Sequence, residues 1–232
     1  MANERLLPGL LAAAGLVVAG WLVGDAIRYT KRFESAVEVR GLDERIVKSD
    51  KASWQLGFTG GGATPQAASE DVTRQAQAAR AFLVESGFAE AEIRTTPVSL
   101  NDNWAMGSNR PPNRFTSRGG LVVETDKVDA IVKAVENTGE LLKRGVVVEN
   151  SFARYYFTDL NRVKPEMLAA ATANARQAAE TFAKDSKTRL GGIRSASQGL
   201  FTIGAPLAEY EGEASVMKKV RVVTRVQYFL EK

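Results

Sequence analysis

The chain lacks two residue types on which many enzyme active sites depend, since its 232 residues include no cysteine and no histidine. These absences exclude a thiol nucleophile, a disulfide, a zinc site with cysteine or histidine ligands, a Ser-His-Asp triad and an imidazole acid-base catalyst. The chemistry that remains is that of Ser-Lys pairs and carboxylates.

One Ser-Lys pair has the required spacing. Ser215-Val-Met-Lys218 fits the S-x-x-K pattern, in which a lysine can activate a serine without histidine. The motif leads into a predicted strand instead of opening a helix, and the companion Lys-Thr-Gly element is absent from the sequence. We interpret the match as a chance one.

Three successive glycines, Gly60 to Gly62, stand between a predicted strand and a predicted helix. Backbone amides at such a place can cradle a phosphate. No Lys-Ser/Thr pair follows the last glycine, so the P-loop pattern is not met. We therefore predict a flexible turn.

Carboxylates form three groupings that could serve acid-base chemistry or bind a hard cation. Asp126 is better explained as a helix cap, and alternating glutamates suit a solvent-facing loop. The prediction is a non-enzymatic protein without catalytic residues, metal or cofactor. The three groupings are Asp43 with Glu44, Asp126 with Asp129, and Glu209, Glu211 with Glu213.

The overall charge is mildly basic, with a formal net charge of +4 and 25% charged residues. This balance is too small to indicate a surface built for a polyanion. We predict no nucleic-acid partner.

An uncharged apolar segment runs from Leu6 to Val23. Extended to Ile27, a helix rising about 1.5 Å per residue just crosses a hydrocarbon core of about 30 Å. The segment lacks the polar face of an ordinary core helix. We predict one transmembrane helix within residues 1–33. Its anchoring side chains include Leu6, Leu10, Leu16, Trp21 and Val23.

Two questions about this segment stay open. A cleaved signal peptide is the alternative to an anchor, but Trp21 places a bulky ring beside the candidate cleavage site, so we favour an uncleaved anchor. For orientation, Arg5 precedes the helix while Arg28, Lys31 and Arg32 follow it. Taken literally, the positive-inside rule leaves the domain in the cytoplasm.

The remaining residues, 34–232, read as one α+β domain that could contain two lobes. Alternation of Ala52, Trp54, Leu56 and Phe58 predicts a strand with one buried face. The proportion of strands to helices predicts a mostly antiparallel sheet covered by helices. Strands are predicted near 36–41, 50–59, 92–100, 114–124, 146–158, 193–203 and 217–230, and helices near 65–86, 126–139 and 165–188.

A loop over residues 101–113, rich in Asn, Gly and Pro, carries the large apolar residues Trp104 and Met106. Such residues can mark a contact surface, although the loop could instead fold back and pack Trp104 on its own sheet. Opposite charge between this loop and the loop of three glutamates would support head-to-tail association of subunits. The candidate contacts are Trp104, Met106, Arg110, Arg114, Glu209, Glu211 and Glu213.

Several segments resemble the bacterial SIMPL-domain proteins. They include Val37-Glu-Val-Arg-Gly41, Asp50-Lys-Ala-Ser-Trp54, Gly87-Phe88 and the alanine-rich stretch around Ala171 to Ala183. These motifs consist of turn glycines and packing alanines, so they specify architecture better than chemistry.

The resemblance implies a SIMPL-like fold with β-α-β units, in an envelope protein that self-assembles into rings or larger oligomers and is connected with envelope or oxidative stress. It also implies a periplasmic location. We therefore predict a single-pass protein of the inner membrane whose domain faces the periplasm, against the charge count. The alternative is an anchored binding module that recruits a protein partner of unknown identity or a small ligand.

Overall fold

The computed structural model describes residues 14–25, 35–105, 110–207 and 212–231. The architecture is α+β with helices and antiparallel strands, as the sequence predicted, but the strands form two sheets instead of the single predicted sheet. The helices are α1 (14–25), α2 (Pro65–Glu85), α3 (Val128–Glu136), α4 (Gly139–Lys143) and α5 (Leu160–Asp185). The strands are β1 (Ala36–Lys48), β2 (Lys51–Gly62), β3 (Ile93–Thr95), β4 (Ser99–Asp102), β5 (Phe115–Thr125), β6 (Val148–Tyr156), β7 (Arg189–Gln198), β8 (Thr202–Gly204) and β9 (Met217–Glu231).

The predicted membrane segment is described only in part. Residues 14–25 form α1, on which Leu16, Trp21 and Val23 are exposed. Leu6 and Leu10 lie outside the described residues. No helix within the described ranges combines the length and the apolar character needed to cross a bilayer.

The chain divides into two compact units, of which the larger comprises Arg45–Arg162 and Thr202–Val220. Its sheet has the order β3-β5-β2-β6, and β4 also pairs with β5. The predicted alternation on β2 is confirmed, since Ala52, Trp54, Leu56 and Phe58 are all buried. These side chains form one core with α2, α3 and α4, which includes Phe82, Leu83, Ile131 and Leu141.

The predicted flexible turn at Gly60 to Gly62 is wrong, because the three glycines are the last residues of β2 and pair with β5. A Cβ on Gly60 would lie 2.8 Å from the amide nitrogen of Val72, and one on Gly62 would lie 2.5 Å from that of Ala68. The glycines therefore let the backbone of α2 approach the strand closely. They are packing residues and not a hinge.

The predicted cap at Asp126 is also wrong. Helix α3 begins at Val128, and its N-cap residue makes no side-chain hydrogen bond. Asp126 contributes its backbone carbonyl, which accepts a hydrogen bond from the amide of Val128 at 2.9 Å. Thr125 Oγ1 accepts from the amide of Lys127, the N-cap residue itself, at 3.0 Å, so it steadies the turn before α3 without capping a helical amide.

The smaller unit comprises residues 1–44, 163–201 and 221–232. The second sheet of the chain has the order β1-β9-β7, and β8 also pairs with β9. The strand predicted near residues 217–230 is confirmed as β9, on which alternate residues are buried: Val220, Val222, Thr224, Val226 and Tyr228.

Helix α5 packs on this sheet through an alanine stripe at helical spacing. Ala175 and Ala179 share a core with Val39, Val226 and Tyr228. The helix was predicted to start at Pro165, but it begins five residues earlier, at Leu160, and contains that proline within its second turn.

Candidate binding surfaces

The loop between β4 and β5 is organised around Trp104, which is 38% exposed. The guanidinium carbons of Arg110 and Arg114 lie 5.4 and 5.2 Å from the centre of its ring. Its indole Nε1 donates a hydrogen bond to the carbonyl oxygen of Pro111 at 3.1 Å. Trp104 therefore packs within its own hairpin, between cations that the same loop provides.

Asp102 fixes Arg114 in this arrangement. Nη2 of Arg114 lies 2.8 Å from Oδ2 of Asp102, and Nε lies 3.1 Å from the same oxygen. The hydrogen bond from Arg114 holds the pKa of Asp102 below its ordinary value, and the backbone amide of Trp104 adds to the effect. Arg114 is thus held by its own chain.

The proposed partners in the acidic loop are described only at Glu213. Its Oε2 lies 3.0 Å from Nε of Arg154 in the same chain. Met106, Glu209 and Glu211 lie outside the described residues. An intersubunit pairing of these two loops would have to exchange the ion pairs of Arg114 and Glu213, and it stays a prediction.

The S-x-x-K match does not form a catalytic pair. Ser215 Oγ donates to the carbonyl oxygen of Met217 at 2.8 Å. Lys218 is almost fully buried and donates from Nζ to the carbonyl oxygens of Gly212 and Glu213. Burial lowers the pKa of Lys218, and the nearby Glu213 partly opposes that effect. Neither contact brings the amine to the serine hydroxyl.

Two of the other candidate carboxylates, Asp129 and Glu44, lie beside cations. Asp129 Oδ2 lies 2.6 Å from Nζ of Lys48, and Glu44 Oε1 lies 3.4 Å from Nε of Arg221. Across the part of the chain that the structure describes, no group of three or more Asp or Glu side chains could hold a metal ion.

A surface that sequence reasoning missed is the edge formed by β7, which ends the order β1-β9-β7 among the described strands. Its register with β9 is irregular between Leu190 and Ser195, then regular from Ser195 to Gln198. All residues from Gly192 to Gln198 are exposed, including Ile193, and Leu200 beyond the strand is 89% exposed. The lack of a consistent apolar face over residues 195–199 is the sequence signal that could have identified an edge strand.

A second missed surface is a groove of about 610 Å³ between the flank of α2 and strand β4. Ser69, Thr73 and Gln77 line the helix side, while Val98 and Leu100 line the strand side and Ser117 lies at the floor. Ser117 is fully buried, and its Oγ has no hydrogen-bond partner among the described residues. Apolar residues two positions apart, at 98 and 100, were the available signal.

The comparisons with known proteins give one family. A search of curated proteins found no match. The family model SIMPL, described as a protein of unknown function (DUF541), matches residues 37–227. This range takes in strands of both sheets and helices α2 to α5. The chain therefore belongs to the SIMPL family.

Proposed function

We propose that this protein is a non-enzymatic, membrane-anchored envelope protein that self-assembles into an oligomer through the free edge of β7. The observation that carries the proposal is the exposed stretch Ser195–Gln198, which ends its sheet among the described strands and contains neither charge nor proline. Natural proteins usually protect such edges with lysine, proline, a bulge or a covering element, because exposed backbone groups pair readily with another strand.

The regular part of β7 has few of these protections. Ser195, Ala196, Ser197 and Gln198 contain neither charge nor proline, and the irregular register precedes them. The amide of Gly199 donates to the carbonyl of Val223 at 2.8 Å. Since hydrogen-bonded pairs alternate in an antiparallel ladder, Ser197 and Ser195 bond to β9, while Ala196 and Gln198 direct their backbone groups away from it. A strand of a second copy can bond to these outward groups.

The direct test is the mass of the detergent-solubilised full chain, measured by size-exclusion chromatography with light scattering. Ala196→Pro removes an outward amide without removing a bond to β9. We expect it to convert an oligomer into smaller species, while Ala196→Thr, which keeps the amide, leaves the oligomer intact. A monomeric wild-type chain, or an oligomer unchanged by Ala196→Pro, would contradict the proposal.

The predicted loop contacts can be tested by the same measurement with a second variant. Arg110→Glu should reduce the oligomer if the Trp104 hairpin also meets the acidic loop of a neighbour. An oligomer that is sensitive to Ala196→Pro and insensitive to Arg110→Glu would assign assembly to the strand edge alone.

The membrane part of the proposal rests on the apolar segment within residues 1–33 and on the family resemblance. We propose a single-pass inner-membrane protein whose domain faces the periplasm and which acts in envelope or oxidative stress. Protease treatment of intact spheroplasts should digest the domain. Full protection would overturn the periplasmic assignment.

The second candidate function is an anchored module that recruits a partner, and the groove beside α2 favours it. A strictly monomeric wild-type chain would favour partner recruitment over self-assembly.

A further inference from the structure

Strand β6 has an edge that another segment of the same chain covers. This strand ends the order β3-β5-β2-β6 among the described strands. The amide of Tyr155 donates a hydrogen bond to the carbonyl oxygen of Glu213 at 2.8 Å, so it faces away from β2. Since the direction of the backbone groups alternates along a strand, those of Ala153 face the same way. Glu213 therefore occupies the place where an added strand would bond.

Residues 212–216, the strap, are held against the larger unit by few contacts. The carbonyl oxygen of Val216 accepts a hydrogen bond from the amide of Ser49 at 2.9 Å, and Oε2 of Glu213 lies 3.0 Å from Nε of Arg154. No residue of the strap is buried, and Val216 packs only partly buried against the core. A surface segment with so few buried contacts can open locally while the sheet stays folded.

Lys218 holds the strap from the inside. Its side chain is buried, and Nζ donates to the carbonyl oxygens of Gly212 and Glu213. The carbonyl of Glu213 is also the group that accepts from Tyr155, so the lysine and the edge of β6 hold the same peptide group. Burial of an ammonium that bonds to carbonyl oxygens and to no carboxylate among the described residues costs stability. Lys218 is therefore better suited to fixing the strap than to stabilising the fold.

Without the strap, β6 would be prone to pair with another strand. The strand contains neither lysine nor proline, the residues that most often protect an edge. Phe152 is 58% exposed and Tyr156 is 37% exposed, so apolar side chains flank the outward backbone groups. The same edge on a second copy offers matching groups, because antiparallel pairing of two identical edges is self-complementary.

We propose that the strap is an autoinhibitory contact and that Lys218 is its latch. Closed, the strap occupies the edge of β6 and keeps this strand from pairing with β6 of a second copy. Released, it leaves the backbone groups of Ala153 and Tyr155 available to such a partner. The inference does not depend on assembly through β7, because the strap, Lys218 and β6 all belong to the larger unit.

Hydrogen–deuterium exchange of the full chain in mild detergent separates a latch from an ordinary core residue. Lys218→Met should accelerate exchange in peptides covering residues 153–156 and 212–216 by about tenfold or more, with no fall in Tm. Lys219→Met, which removes the same charge from the adjacent and only partly buried residue, should leave this exchange unchanged. Unchanged exchange in Lys218→Met would overturn the proposal. A lower Tm, an unfolded variant or faster exchange throughout the chain would also overturn it, because Lys218 would then stabilise the whole fold.

The released edge is tested by light scattering in the Ala196→Pro background, in which β7 cannot contribute. Adding Lys218→Met should raise the mass above that of Ala196→Pro alone, whereas adding Lys219→Met should not. A further Ala153→Pro removes an outward amide of β6 and no bond to β2, so it should reverse the increase. No increase with Lys218→Met, or an increase that survives Ala153→Pro, would overturn the assignment of the β6 edge. These outcomes are read independently of whether the wild-type chain is an oligomer.

Discussion

The contact between Gly41 on β1 and helix α5 provides the sharpest test of how the alanine-rich helix packs. A Cβ on Gly41 would overlap the carbonyl oxygen of Ala171 and would lie 2.6 Å from the amide nitrogen of Ala175. Both atoms belong to the helix backbone, which cannot move aside as the end of a flexible side chain can. Gly41→Ala must therefore push α5 away from the sheet.

The destabilisation expected from Gly41→Ala follows from the packing contacts that α5 would lose. Ala171, Ala175 and Ala179 are fully buried on the face of α5 that packs on the sheet. Moving the helix away from the sheet would open space along this whole stripe. Adding one methyl group to a tightly packed site costs typically 1–3 kcal/mol, and a clash with backbone atoms belongs at the upper end, at about 3 kcal/mol. For a chain of this length that corresponds to a fall in Tm of roughly 6–12 °C.

Gly192→Ala in β7 is the matched control, because nothing lies within 4 Å of a Cβ at that position. It should leave the free energy of unfolding within about 0.5 kcal/mol of the wild-type value or raise it slightly. Urea and thermal unfolding followed by circular dichroism would compare the two variants. If both unfold at the same urea concentration, the close approach of α5 to Gly41 is refuted.

Two further predictions concern ionisable groups. Lys218→Met should leave the free energy of unfolding unchanged or raised at pH 7, because the buried ammonium has only carbonyl partners among the described contacts. Since burial lowers the folded-state pKa of Lys218, the unfolded chain binds more protons between that pKa and 10.5. The contribution of Lys218 to the wild-type free energy of unfolding should therefore increase with pH across this alkaline range. Urea titrations at several pH values should show no such contribution in Lys218→Met. Glu92 accepts hydrogen bonds from Thr125, the amide of Ala89 and Lys127, which lower its pKa to about 2. Its contribution is present above pH 4.5 and is lost as pH falls toward 2, so Glu92→Gln should cost roughly 1.5–3 kcal/mol at pH 7 and much less at pH 2. An equal cost at both pH values would contradict the assignment.

Local patterns predicted a good part of the elements. The period of two at Ala52 to Phe58 identified a strand with one buried face, and the strand predicted near residues 217–230 is β9. The alanine-rich stretch around Ala171 to Ala183 indicates close packing, and Ala175 and Ala179 do lie in a core with Val39 and Val226. These features could be predicted because the burial of one face leaves a period in the sequence.

Residues whose roles depend on distant partners could not be assigned in this way. Gly60 to Gly62 looked like a turn because glycine is typical of turns, yet they extend β2 because α2 lies close above them. Pro165 looked like a helix start because proline is common there, yet α5 begins at Leu160. The same holds for the candidate contact residues, since the sequence does not reveal that Asp102 binds Arg114.

The sequence alone determined what chemistry is excluded and which family architecture the chain adopts. The absence of cysteine and histidine is a property of composition. The packing alanines and the alternating strand residues are local patterns that can be recognised in the sequence without knowledge of the fold. Only the tertiary structure decided which strands end their sheets and which side chains lack partners. Among the described residues, β7 ends its sheet because of strand order, and the Ser117 hydroxyl lacks a partner because of packing between distant segments; neither leaves a periodic signal along the chain.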